Sequence, residues 1–309
     1  MGRPQKQHNP LNYSFEDALA AVGDENKPAL HEVAARPFLK WAGGKTQLLN
    51  QFVPFFPPKD YFKQYLEPFI GSGAVFFHLR PEKAHVADNN EELINCYKQI
   101  KGHVEAVIEL LRTHKRLHST AYYYKLRSFP PKDLSPIERA AKFIYLNKTC
   151  FNGLYRVNSK GKFNVPMGRY INPPILDEDL LYAAHVALRG VGLHCMPFDR
   201  FCDEFAEEGD FVYFDPPYFP ISKTANFTNY TKEAFGLQEQ TQLCDVFEKL
   251  DKRGCFLMLS NSACKTIRAL YKNYRWTTYE VKARRAINSA PDKRRPIKEL
   301  VILNYAPDA

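Results

Sequence analysis

Gln64-Tyr65-Leu66-Glu67-Pro68-Phe69-Ile70-Gly71-Ser72-Gly73 decides the fold. Its first six residues form a run of strand length, and the two glycines that follow permit a tight turn with backbone open to a ligand. Ala74 to Leu79 then reads as a helix, and Ala84 to Ala87 as the next strand. Strand, glycine turn, helix and strand make an α/β unit in which a ligand can meet the backbone at a helix N-terminus. The dinucleotide fingerprint would need a third glycine at position 76, which is Phe76, so the turn argues against a nicotinamide or flavin. Asp88 ends the second strand, where a carboxylate can accept both hydroxyls of a ribose. The alternative for Asp88 is to cap a helix that begins ahead of Glu91 and Glu92.

Outward from this unit, alternation of strands and helices continues from Pro37 onward. Phe211 to Phe214 and Cys255 to Leu259 read as strands. Trp276 to Ile287 and Pro296 to Tyr305 read as two long strands joined by the basic loop Asn288 to Arg295, a hairpin layout. Residues 1–36 mix polar, charged and proline positions around one helix-like run, Phe15 to Val22, and are expected to form a loosely ordered extension. Between the second strand and Asp210 the pattern is first helical, at Asn90 to His114 and Pro136 to Lys148. It then becomes hairpin-like, at Asn152 to Tyr170.

That intervening stretch carries the charge. The chain has 309 residues and a net charge of +9, yet residues 99–176 alone hold 14 Lys and Arg against 4 Asp and Glu. A concentrated basic surface suits a phosphate backbone, although a charge run by itself is more often a solvated face. A hydrophobic content of 45% is enough for one large core or two modest ones. No run approaches the roughly 18 apolar residues of a membrane-spanning helix, and the start of the chain lacks a signal-peptide layout, so no membrane partner and a cytoplasmic address are expected. The seven cysteines form no CxxC pair, and neither a zinc site nor a disulfide framework is signalled. Gly44-Lys45-Thr46 fails as a phosphate-binding P-loop because the required earlier glycine is Leu39.

Asp215-Pro216-Pro217-Tyr218, directly after the strand Phe211 to Phe214, is the most specific local signal. Two prolines cannot continue a central strand, and they set a rigid turn at the edge where open α/β sheets bind ligands. The exocyclic amine of a base is a poor nucleophile because its lone pair is delocalised into the ring. Acceptors at Asp215 and the Pro216 carbonyl can draw that amine towards tetrahedral geometry, and Tyr218 can stack on the base for roughly 1–3 kcal/mol.

Phe38-Leu39-Lys40-Trp41-Ala42-Gly43-Gly44-Lys45, Glu67 to Gly73 and Asp215 to Tyr218, in this order, resemble the signature of Dam-type DNA adenine-N6 methyltransferases. The similarity extends through Ala87-Asp88-Asn89, Phe151 to Arg156, Phe163 to Pro166 and Thr224 to Phe227, and so covers essentially residues 37–305. The resemblance implies a Rossmann-like mixed seven-stranded sheet with an inserted, mainly helical target-recognition domain containing a hairpin. It divides the chain into an N-terminal extension (1–36), a catalytic domain that binds S-adenosylmethionine (37–92 and 177–309) and a target-recognition domain (93–176). It assigns catalysis to Asp215, Pro216, Pro217 and Tyr218, and the methyl donor S-adenosylmethionine to Trp41, Lys45, Phe69, Gly71, Gly73, Asp88 and Asp215, with no metal. Lys40, Phe151, Asn152, Leu154, Arg156 and Pro166 would contact DNA, with Lys40, Leu154, Arg156 and Pro166 reading GATC around a flipped-out adenine. Phe151 departs from the commoner tyrosine, but an aromatic wedge needs no hydroxyl. The implied partner is double-stranded DNA, with a restriction endonuclease of the same system as a candidate and a monomer as the working state. Competing readings are a DNA-binding protein that has lost turnover, and a methyltransferase acting on cytosine N4 or on RNA.

Overall fold

The computed structural model describes residues 33–219, 235–272, 275–283 and 297–307. The helix-like run at Phe15 to Val22, the stretch Thr224 to Phe227 and the loop Asn288 to Arg295 lie outside these residues.

Apart from short 3-10 turns such as Lys45–Gln47, the described elements run in chain order from a helical turn α1 (Leu49–Phe52) to β1 (Tyr65–Glu67), α2 (Ala74–Leu79) and β2 (Ala84–Ala87). Five helices follow: α3 (Glu91–Gly102), α4 (Val104–Arg116), α5 (Thr120–Ser128), α6 (Pro136–Thr149) and α7 (Glu178–Ala187). The chain then forms β3 (Gly192–His194), α8 (Phe198–Phe205), β4 (Phe211–Phe214), α9 (Leu237–Arg253), β5 (Phe256–Ser262), α10 (Lys265–Tyr271), β6 (Thr277–Ala283) and β7 (Ile297–Leu303).

Among the described residues the strands make one seven-stranded sheet in the order β3-β2-β1-β4-β5-β7-β6. β1 to β5 are mutually parallel, whereas β7 enters antiparallel between β5 and β6. The sheet is the mixed seven-stranded one that the motifs imply. All four residues of β4 are buried, the mark of a strand covered on both faces. One face packs Tyr65, Val86, Tyr213 and Val301, and the other Leu66, Val212, Phe214 and Leu300. Each such side chain contributes roughly 1.5–3 kcal/mol by leaving water.

Local chemistry sets the element ends. Gly73 starts α2 from a left-handed conformation, φ +71°, which a side chain would strain. Ser135 and Glu138 form a reciprocal capping box at the start of α6, with Pro136 in the first turn where its missing N–H is harmless. The buried cluster on the β1 face continues without a break into the five helices between β2 and β3, through Tyr97, Leu111, Tyr123, Ala140 and Ile144.

Three local expectations are modified. The helix expected over Asn90 to His114 divides at His103, whose φ of −144° is not helical, giving α3 and α4. β3 has no counterpart among the strands read from the sequence. The segment Asn152 to Tyr170 does fold back on itself, but through single antiparallel bridges, Cys150 with Met167 and Val157 with Phe163, rather than a continuous ladder.

Candidate active site

In the strand order β3-β2-β1-β4-β5 the connections reverse direction between β1 and β4, so a crevice opens outside their carboxyl ends. The glycine turn follows β1 and Asp215-Pro216-Pro217-Tyr218 follows β4, so the two motifs that the sequence separates by well over a hundred residues share one edge.

Lys45 joins them. It is 3% exposed, and its Nζ lies 2.6 Å from Asp215 Oδ1, donates to the Gly43 carbonyl at 2.6 Å and sits 4.6 Å from the centre of the Tyr218 ring. Ser260 Oγ, at the end of β5, donates to Asp215 Oδ1 at 3.0 Å and lies 3.0 Å from the Tyr213 hydroxyl. Burial raises the Asp215 carboxyl above the usual aspartate range, while Lys45 and Ser260 draw it back down. The result is a fixed acceptor with some proton affinity at the mouth of the crevice.

The turn after β1 is bare backbone for a steric reason. A Cβ on Gly71, which already has φ +46°, would lie 2.8 Å from Trp41 Cδ1. Trp41 is itself stacked on Tyr155 at 5.9 Å. Asp88 Oδ2 accepts from Gly71 N at 3.3 Å and Oδ1 from Asn90 N at 2.9 Å, so Asp88 braces the turn. Burial lifts its pKa to about 6. The cap of α3 is Asn90, whose side chain accepts from Leu93 N, and Asp88 is therefore not occupied by capping. Phe69 lies in an aromatic group with Phe198 and Phe235 at centroid distances of 5.3 and 5.7 Å.

The basic segment reaches the same region through Asn147, a 4% exposed residue of α6. Its side chain accepts from Lys40 N at 2.8 Å and donates to the carbonyls of Lys40 at 2.7 Å and Gly153 at 3.1 Å. Lys40 Nζ donates to the Tyr170 hydroxyl at 3.2 Å. Lys40 is thereby pinned to the fold-back segment, beside exposed Phe151, Asn152, Arg156 and Pro166. Asn152 holds φ +55°, which asparagine tolerates better than most residues. Arg156 Nε donates to Asn164 Oδ1 at 2.7 Å, and the Pro166 carbonyl accepts from Phe151 N at 2.9 Å. Leu154 is partly buried against the core.

Sequence reasoning missed four contributors: Asn147, Ser260, Gln240, whose amide donates to the Pro217 carbonyl at 3.0 Å, and Glu299, which accepts from the Tyr218 hydroxyl at 2.6 Å. A signal existed for Ser260, because Ser260-Asn261-Ser262 is a polar trio that ends the apolar run of β5. A separate cleft of about 820 Å³, lined by residues including Asn90, Arg139, Lys142 and Tyr155, contains none of Lys45, Asp88 or Asp215, so it is not the crevice of the two motifs. Among the described residues no group of three or more His, Cys, Asp or Glu is disposed to hold a metal ion, and no helix is long and apolar enough to cross a membrane.

The chain is 44% identical over 281 residues to the Type II methyltransferase M1.LlaDCHI of Lactococcus lactis subsp. cremoris, covering 89% of this chain and 97% of that protein. It is 38% identical over 272 residues to the DNA adenine methylase of Haemophilus influenzae, covering 87% and 93%, and 35% over 276 residues to that of Escherichia coli K12, covering 88% and 96%. Residues 41–287 match the model of one family along their whole length. With its two motifs meeting at the sheet's switch point, this chain belongs to the D12 class N6 adenine-specific DNA methyltransferases.

Proposed function

We propose that this methyltransferase takes its methyl group from S-adenosylmethionine and places it on adenine N6 within GATC sites of double-stranded DNA, on a nucleotide flipped out of the duplex. The observation that carries the reading is Asp215, held by Lys45 and Ser260 at the carboxyl end of β4 beside the glycine turn.

The residues of this edge fit the donor. Lys45 has three N–H groups, of which two go to Gly43 and Asp215, and its charge suits a carboxylate. Asp88 is an acceptor suited to ribose hydroxyls. Gly71 and Gly73 keep the turn free of side chains. Trp41, Lys45, Phe69, Gly71, Gly73, Asp88 and Asp215 would hold the donor. S-adenosylmethionine supplies an electrophilic methyl group on a positively charged sulfur.

A paired adenine cannot present its amine, so the nucleotide leaves the stack at a cost of about a few kcal/mol. Phe151, 49% exposed, is a ring of suitable size to fill the gap. Asp215 and the Pro216 carbonyl accept hydrogen bonds from the amine, Pro217 keeps the turn rigid, and Tyr218 stacks on the base. These fixed acceptors act by orientation and electrostatics. The raised proton affinity of Asp215 suits it to receive the proton that the methylated amine sheds.

Residues 93–176 act as the target-recognition domain and residues 37–92 and 177–309 as the catalytic domain. Arg156 is the natural reader of a guanine through O6 and N7, with Lys40, Asn152, Leu154 and Pro166 completing the contact surface. The protein works in the cytoplasm as a monomer, with a restriction endonuclease of the same system as a partner.

The test is transfer of labelled methyl to unmethylated duplex DNA, with digestion to nucleosides and mapping of modified sites. N6-methyladenine confined to GATC supports the whole reading. Another adenine context retires the readout assigned to Arg156 and Leu154.

A further inference from the structure

β7 runs antiparallel to β5, so its first residues lie at the edge where the parallel strands end, with Glu299 opposite Ser262. Side chains alternate along a strand. Val301 and Leu303 share the face of Glu299 and join the apolar cluster that contains Phe52 and Tyr213, whereas Leu300 and Ile302 face the other cluster. Glu299 is thus a carboxylate on a face that its strand otherwise gives to aliphatic side chains. Desolvation makes such a placement unfavourable unless the group is hydrogen-bonded. Burial raises its pKa, and Lys45 and Tyr218 oppose the rise.

Its carboxylate accepts a 2.6 Å hydrogen bond from the Tyr218 hydroxyl. The same ring has Lys45 Nζ over its face at 4.6 Å, and Lys45 is fixed in turn by Asp215. Tyr218 is therefore held at its hydroxyl end from β7 and on its face from the segment after Gly44. We propose that Glu299 is a positioning residue for methyl transfer: it locks the Tyr218 ring, and through that ring the plane of the target adenine. The proposal rests on reading Tyr218 as the stacking partner of the base. A ring pivoting freely would let the amine wander from Asp215, and misplacements of about 1 Å can slow a reaction about a hundredfold.

The test uses the full-length protein, Glu299→Ala, Glu299→Gln, Tyr218→Phe and the double variant Tyr218→Phe/Glu299→Ala. Single-turnover methylation is followed on a duplex carrying the site mapped for the wild type, at saturating S-adenosylmethionine, and donor binding is measured by calorimetry. Loss of this charge-assisted hydrogen bond should slow the single-turnover step of Glu299→Ala about ten- to a hundredfold. Donor affinity should stay within about twofold, Glu299→Gln should recover most of the rate because its amide oxygen still accepts, and the double variant should be no slower than Tyr218→Phe. Additive losses, an unchanged rate in Glu299→Ala, or no recovery in Glu299→Gln would each overturn the proposal. Should Glu299→Ala not fold, Tyr218→Phe removes the same hydrogen bond and must show the same slowing. Tyr218→Leu tests the stacking separately: a wild-type rate there removes the stacking reading, whereas a loss there beside a normal Glu299→Ala removes only the lock.

Discussion

Replacing Asn147 by leucine should detach Lys40 from the fold-back segment while leaving the Lys45–Asp215 pair in place. The side chain makes three hydrogen bonds, to Lys40 N, Lys40 O and Gly153 O, across 107 and 6 residues of sequence. Leucine is close in volume, so little cavity forms and the hydrogen bonds dominate the effect. At about 1 kcal/mol for each bond, Asn147→Leu should lose about 3 kcal/mol of folding stability. Asn147→Asp keeps the acceptor for Lys40 N but sets a buried carboxylate against two carbonyl oxygens, so it should lose at least as much as the leucine variant. Urea unfolding of the three proteins measures these values directly. The functional consequence follows from position: Lys40 and Gly153 border the exposed residues assigned to DNA, whereas Lys45 is held by Asp215 and Asp88 by the backbone N–H of Gly71. The KM for DNA should therefore rise and discrimination against altered sites should weaken, with S-adenosylmethionine affinity within about twofold of wild type. A stability loss under about 1 kcal/mol for the leucine variant, against the charge of three bonds, would refute the reasoning. Equal weakening of donor and DNA binding would refute it as well.

Asp215→Ala should abolish methyl transfer while DNA binding, measured by mobility shift, stays largely intact; joint loss would contradict the role given to this carboxylate. Arg156→Ala should relax one base position by roughly 1–3 kcal/mol, and an unchanged preference in a randomised-site methylation assay would remove Arg156 from the readout. Because burial raises Asp88 to about 6, its charged form is populated above that pH and lost below it. A ribose held by the charged carboxylate should bind fully above about pH 6 and weaken up to about tenfold for each unit below. Calorimetry across this range checks the slope, and a flat profile for the wild type, matching Asp88→Asn, would show that Asp88 is not the ribose acceptor.

The parts legible in the sequence are those where one local rule acts alone. β4 is legible because an apolar run ends at two prolines, and α2 because two glycines precede an apolar helical stretch. β3 is not, since Gly192-Leu193-His194 is too short to show alternation and owes its strand conformation to pairing with β2. Likewise the break at His103 interrupts a helical period that continues on both sides, so periodicity alone joins α3 to α4. At the site, Asp215, Asp88 and Lys45 are conspicuous because each belongs to a turn motif. Asn147, Gln240 and Glu299 lie inside regular elements, and only the fold brings Asn147 to Lys40, Gln240 to Pro217 and Glu299 to Tyr218.

The fold-back segment also has an inside and an outside. Gly153 and Val165 are buried, with a Cβ on Gly153 meeting Lys40 at 2.5 Å, while Phe151, Asn152, Arg156 and Pro166 face solvent. Exposed substitutions usually change stability by only about 0.5 kcal/mol, so Phe151 and Arg156 can vary with little effect on the core beneath them, whereas Asn152 is restricted by its left-handed backbone. On the readout proposed above, the residues that would choose the target are separated from the buried residues that carry the segment. On that reading, a change of recognition site should enter through Phe151 and Arg156 before Asn152.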